Sequence, residues 1–117
     1  MRKTLILLCT GLAACGAQFP VTGELEQTPA QGTVTVRVPE GSFSVTTVDG
    51  LICGGTYDAM SSDITITAPV RCADGRRGTA IITRKTNLLS GTVLVRLNDG
   101  ATGRFVFGDL SFGDEFG

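Results

Sequence analysis

The chain has no histidine and no tryptophan, a single tyrosine, and only two lysines, Lys3 and Lys85. The missing histidine removes the commonest general base and the commonest zinc ligand together. Serines and threonines are plentiful. Their only lysine beyond the first residues is Lys85, and neither Ser61 nor Ser90 stands in a nucleophile motif, so a hydrolase reading has little to build on. Long apolar runs are also missing: Leu5 to Ala14 spans ten residues, where a membrane-crossing helix needs about 20. A basic surplus is absent as well, with 10 Lys and Arg against 11 Asp and Glu, which argues against nucleic acid as a partner. Beyond residue 15 no segment of ten or more residues carries a helical period.

What is present is alternation. Val34, Val36 and Val38 share one face, as do Ile64, Ile66, Ala68 and Val70, then Val93, Val95 and Leu97, and finally Phe105 and Phe107. Period-two patterning marks strands buried on one side. It predicts strands near 33–38, 43–48, 51–57, 64–72, 78–84, 91–97 and 103–108. The segment from Val70 to Gly78 recurs from Val95 to Gly103, with Val, Arg, Asp and both Gly kept at a shift of 25, and Asp49-Gly50 lies another 25 earlier. Asp-Gly between alternating runs is a hairpin signal, because glycine takes positive φ cheaply and aspartate bonds to its own turn. The expectation is an all-β fold: a small antiparallel meander of six or seven strands closing into a barrel or a two-layer sandwich.

The first residues form a leader. Arg2 and Lys3 precede the apolar run, which ends in Leu12-Ala13-Ala14-Cys15. This ending resembles the lipobox of bacterial lipoproteins. The resemblance implies that residues 1–14 are a removed signal peptide, and that Cys15 carries diacylglycerol and a further fatty-acyl chain such as palmitate. It further implies a membrane partner through that anchor. Gly16 follows the cysteine where an aspartate would favour retention at the inner membrane. The implied address is therefore the periplasmic face of the outer membrane in a diderm cell. Residues 15–32, rich in Pro, Gly and Gln, read as the lipidated cysteine and a flexible tether, with an edge strand over Phe19 to Leu25 as the alternative. Residues 33–117 then form the β domain.

Cys9 leaves with the leader and Cys15 is taken by lipid, so Cys53 and Cys72 remain. Export to an oxidising compartment makes a disulfide between them the expectation. No metal site and no cofactor are expected. The run Cys53-Gly54-Gly55-Thr56-Tyr57, the Cys72–Gly78 hairpin and the closing Phe105-Val106-Phe107-Gly108 also look like a pattern in small bacterial envelope proteins. That likeness implies a fold unit and no chemistry.

Asp49, Asp74 and Asp99 could supply paired carboxylates or calcium ligands, but their Asp-Gly context explains them as turn residues. Charge is segregated more tellingly. Seven of the eight basic residues beyond the leader lie between Arg71 and Arg104, opposed there only by Asp74 and Asp99. Arg71, Arg76, Arg77, Arg96 and Arg104 are the candidate surface for an anionic ligand or partner, weighed against a merely solvated face. At the end of the chain, Phe105 and Phe107 complete the core, while Phe112 and Phe116 either cap the sheet or present a docking peptide. The functional expectation is a non-catalytic envelope lipoprotein serving as a structural or protein-interaction module. The alternative is a binding or inhibitor module for an anionic envelope polymer.

Overall fold

The structure, a computed structural model, describes residues 17–86 and 89–116. Eight strands follow one another: β1 (Ala17–Leu25), β2 (Thr28–Val36), β3 (Glu40–Thr47), β4 (Ile52–Asp58), β5 (Thr65–Cys72), β6 (Arg77–Arg84), β7 (Gly91–Leu97) and β8 (Thr102–Phe107). One helical turn, α1 (Phe112–Phe116), comes last. Each strand pairs antiparallel with the next, and β1 pairs with β8, so the meander is a closed barrel without a free edge. Of the two architectures the pattern allowed, it is the barrel, with eight strands rather than six or seven.

One extra strand and one longer strand correct the reading of 16–32 as a tether: β1 (Ala17–Leu25) covers the alternative strand over Phe19 to Leu25, here within a closed barrel, and β2, read near 33–38, already begins at Thr28. Alternation is present there but disguised. Val21 and Leu25 point inward with Gly23 between them, and Ala30 and Val34 do so around Gly32. The two prolines misled because each sits where a ladder ends. Pro20 uses only its carbonyl, accepting from Gly108, and Pro29 only its carbonyl, accepting from Val48; neither position needs a donor. The β1–β2 turn, Glu26-Gln27, has φ of 53° and 65°. It is a two-residue hairpin turn without the usual Asn-Gly signature.

The connections β1–β2, β3–β4, β5–β6 and β7–β8 gather at one end of the barrel, the turn end. The start of β1, the other three connections and the exit of β8 gather at the opposite, loop end. The three Asp-Gly turns are built alike. Gly50, Gly75 and Gly100 donate to Thr47, Cys72 and Leu97 at 2.9, 3.0 and 3.0 Å, with glycine φ of 99°, 95° and 94°. The residue opening each turn then donates to the carbonyl four residues on, at 2.8 to 2.9 Å. This is a type I turn with a left-handed glycine, the geometry that a three-residue hairpin demands.

Inside, Val21, Leu25, Val34, Val45, Val70, Ile82, Val95, Leu97, Phe105 and Phe107 form one buried core. Aromatic rings lie across glycines of neighbouring strands. A Cβ on Gly41 would sit 2.3 Å from the Tyr57 ring, and one on Gly23 2.7 Å from the Phe105 ring. Glycine there lets the sheet bend and the ring close over the bare backbone. Outward positions on β5, β6 and β7 are mainly Thr and Arg. Apolar inside and polar outside is the inverse of a lipid-spanning barrel. No helix among the described residues is long and apolar enough to cross a membrane.

The β4–β5 seam is the shortest, with two registered pairs, Cys53↔Cys72 and Gly54↔Arg71. Bonds from Cys72 to Arg76 and from Arg84 to Ile64 assign the even residues of β5 to β6. The odd ones, including Pro69, therefore face β4, and Pro69 has no N–H to offer it. The disulfide between Cys53 and Cys72, expected from their count and address, closes this seam with Cα atoms 4.0 Å apart.

Candidate functional site

Arg76, just before β6, and Arg84, its last residue, place an arginine at each end of the barrel on the inward parity of that strand. Arg76, at the turn end, extends the inward row of Gly78, Ala80 and Ile82 and crosses between three turns. Its Nε donates to Asp74 at 2.9 Å, and its Nη1 to Glu26 at 3.0 Å and Asp99 at 3.1 Å. Hydrogen bonds to Asp99 and Glu26, then Asp74, raise its affinity for the proton still further. Asp99 is held below the usual carboxylate range by the Ala101 backbone N–H and then by Arg76. Arg76 is thus an internal clasp. Within the candidate surface it stands apart: its Nε and Nη1 are engaged by this chain's own Asp74, Glu26 and Asp99.

Arg84 closes the row at the loop end, and the sequence reading did not single it out. It is 5 % exposed. Its Nη2 donates to the backbone carbonyls of Ser61, at 2.8 Å, and Asp63 in the β4–β5 loop. Its Nε has no hydrogen-bond partner among the described residues. Burial pushes the Tyr57 phenol up, and the Arg84 charge opposes that shift. A signal was available: Ala80, Ile82 and Arg84 share parity, which alone puts the guanidinium inside.

Between these ends the interior is nearly full. The remaining cavity is about 30 Å³, walled by residues such as Val34, Phe43, Tyr57, Ile82, Arg84 and Phe105. That is the space of about one water molecule, against roughly 300–1,000 Å³ for a small-molecule pocket.

The other candidate arginines point outward. Arg104 on β8 is held by Glu24 of β1 at 2.7 Å and stands over the Phe112 and Phe116 rings at 5.6 and 5.3 Å. Val106, on the same outer face, is 2 % exposed yet lies outside the core cluster. The chain end bearing α1 therefore serves as a cap on the outside of β8, which decides between the two roles open to Phe112 and Phe116. Arg104, like Arg76, is already engaged.

Arg71, Arg77 and Arg96 remain. They are exposed near the turn end of β5, β6 and β7, with Arg71 directly opposite Arg77 and Arg96 opposite Thr79, one step from Arg77. No carboxylate meets any of the three among the described residues. Structure thus divides five candidate arginines into two structural ones and an unopposed row of three.

Asp74 and Asp99 each bond to the N–H two residues on, at 3.1 and 3.0 Å, and the Thr47 hydroxyl donates to Asp49. They are turn residues. No group of three acidic or cysteine side chains among the described residues could hold a metal ion. Cys15 and the leader lie outside the described residues.

No family model matches the chain, and no curated protein matches its sequence. Two solved structures share the fold. A redesigned β-barrel, mFAP1, bound to DFHBI aligns with a TM-score of 0.61 at 17 % identity, covering 81 % of this chain and 94 % of the other. A second, a fluorescence-activating β-barrel designed de novo, aligns with a TM-score of 0.57 at 17 % identity, covering 81 % and 93 %. At such identity the likeness is one of architecture: the chain is similar to small designed barrels in its closed antiparallel meander.

Proposed function

We propose that this chain is a lipid-anchored envelope protein without catalytic activity, whose barrel is a rigid interaction module working through its outer wall. The row of Arg71, Arg77 and Arg96 carries this reading. Like charges directly opposite across a strand pair destabilise it, and here no intramolecular carboxylate offsets them. An acidic protein partner supplies the missing countercharge. The filled interior supports a module that acts from outside, since a cavity of about 30 Å³ leaves no room for a ligand of DFHBI's kind. The lipobox-like Leu12-Ala13-Ala14-Cys15 supports the address.

The test uses the full lipid-modified chain, solubilised in detergent, to capture binders from an envelope extract. Arg71→Glu/Arg77→Glu/Arg96→Glu is the comparison, because none of the three holds the fold together. An acidic protein retained by the parent chain and lost by the variant supports the reading. Its release should be steep as salt rises from about 0.1 M to about 1 M, which shortens the screening length from about 10 Å to about 3 Å. Equal retention by both chains overturns it. Binding that survives proteolysis of the extract would replace the protein partner by an anionic polymer.

A further inference from the structure

We propose that the loop end of the barrel is a membrane-contact surface, resting directly on the uncharged face of a zwitterionic bilayer. This rests on the lipid-anchor reading of Cys15 and adds an orientation to it. The first observation is where the chain enters the barrel. β1 begins at Ala17 at the loop end, and only Gly16 separates it from Cys15 in sequence. Two Cα steps reach at most about 7.6 Å. With β1 and β2 occupying what reads as a tether, an anchor on Cys15 holds the loop end against the headgroups and cannot let the barrel stand off.

The second observation is what that end presents. Each of its three connections carries an exposed large apolar side chain: Val38 in β2–β3 (68 % exposed), Met60 in β4–β5 (65 %) and Leu89 in β6–β7 (42 %). Apolar residues scattered over a surface are ordinary. One at each loop of a single end, around the point where the anchor attaches, is the arrangement that an interfacial footing requires. The turn end differs. Val48 is its one exposed large apolar residue in a connection, and the Arg76–carboxylate clasp lies across it.

Charge selects the kind of surface. Among the described residues, Glu40, Asp58, Asp63 and Asp109 lie in or beside the loop-end connections, against two exposed cations, Arg37 and Lys85, the latter paired with Glu115. An acidic rim is repelled by anionic headgroups and tolerated by zwitterionic ones. The same orientation turns the Arg71–Arg77–Arg96 row away from the lipid, toward a partner beyond it.

The absence of tryptophan gives a clean reporter. Val38→Trp, Met60→Trp and Leu89→Trp, with Val48→Trp as the opposite pole, are made in the full lipid-modified chain. Each is reconstituted in phosphatidylcholine vesicles with brominated acyl chains, with palmitate labelling and circular dichroism run alongside. All four positions are exposed, so folding is retained. An apolar tip settled about 5–10 Å into the headgroup–acyl boundary is expected to lose about half its fluorescence to bromine, at positions 38, 60 and 89 and not at 48. Adding phosphatidylglycerol at low salt should weaken the quenching. A palmitate-labelled chain quenched at none of the three loops, or most at 48, overturns the orientation and leaves the anchor standing. Quenching strengthened by phosphatidylglycerol overturns the zwitterionic preference. A chain without palmitate, recovered in the soluble fraction, overturns the anchor reading and the orientation with it.

Discussion

Reducing the Cys53–Cys72 disulfide is expected to destabilise the barrel by about 3 kcal/mol. The two cysteines are 19 residues apart. The loop-closure relation for that separation gives about 11 cal/mol/K, or about 3 kcal/mol at about 25 °C. For a domain of this size each kcal/mol moves the thermal midpoint by about 4–8 °C, so the shift should be about 12–25 °C. The assay is thermal unfolding followed by far-ultraviolet circular dichroism, with and without reductant, beside a Cys53→Ala/Cys72→Ala chain. Reduction keeps both sulfurs in the core, whereas the alanine pair also removes buried volume beside the interior cavity. The double variant should therefore fall about 1 kcal/mol further. Position matters as well as loop length, because the disulfide closes the one seam with only two registered pairs. Amide exchange should accelerate first in β4 and β5 and last in β7 and β8. A loss below about 1 kcal/mol would refute the loop-closure argument. Uniform acceleration across the barrel would refute the argument that β4–β5 is its weak seam.

Gln27 holds a φ of 65° in the β1–β2 turn, so Gln27→Gly should raise stability in urea unfolding by about 1 kcal/mol; Glu26 is left in place for Arg76. Tyr57 is the only tyrosine and is pushed above its ordinary value of 10.0 by burial. Its neutral form therefore contributes stability that is complete below that value and is lost as pH rises through the raised one. Phenolate absorbance should titrate above 10.0 in the folded chain, and higher still in Arg84→Met, where the opposing charge is gone. Asp99 is depressed below its ordinary value of 3.8 by the Ala101 N–H and Arg76. It contributes stability above 3.8 that is lost as pH falls through the depressed value, so acid unfolding of Asp99→Asn should lack that part of the decline.

Much of the barrel is legible from residue order because its signals are local. Valine alternation in β7, the Asp-Gly turns and the repeat they define need only neighbouring residues to be read. β1, readable only as an alternative strand over Phe19 to Leu25, and the first half of β2 were harder to read, because their inward positions are shared with Gly23 and Gly32, and Pro20 and Pro29 look like breakers until the ends of their ladders are known. The turn at Glu26-Gln27 carries no composition that announces positive φ. The candidate site divides in the same way. Arginines can be counted along the chain, but Arg76 and Arg104 find their carboxylates at Glu26, Asp99 and Glu24, residues 23 to 80 positions away.

The amino-acid sequence by itself determined the all-β class, the three like turns, the pairing of Cys53 with Cys72 and the absence of histidine chemistry. These follow from residue type and short spacing, which act over a few bonds. Only the tertiary structure decided closure at eight strands, the fate of each arginine and the near-filled interior. Pairing β1 with β8 joins segments about eighty residues apart, and the volume left inside depends on how rings from one strand lie over glycines of the next. Contacts of that kind are set by three-dimensional packing, and nothing in the local pattern of either strand specifies them.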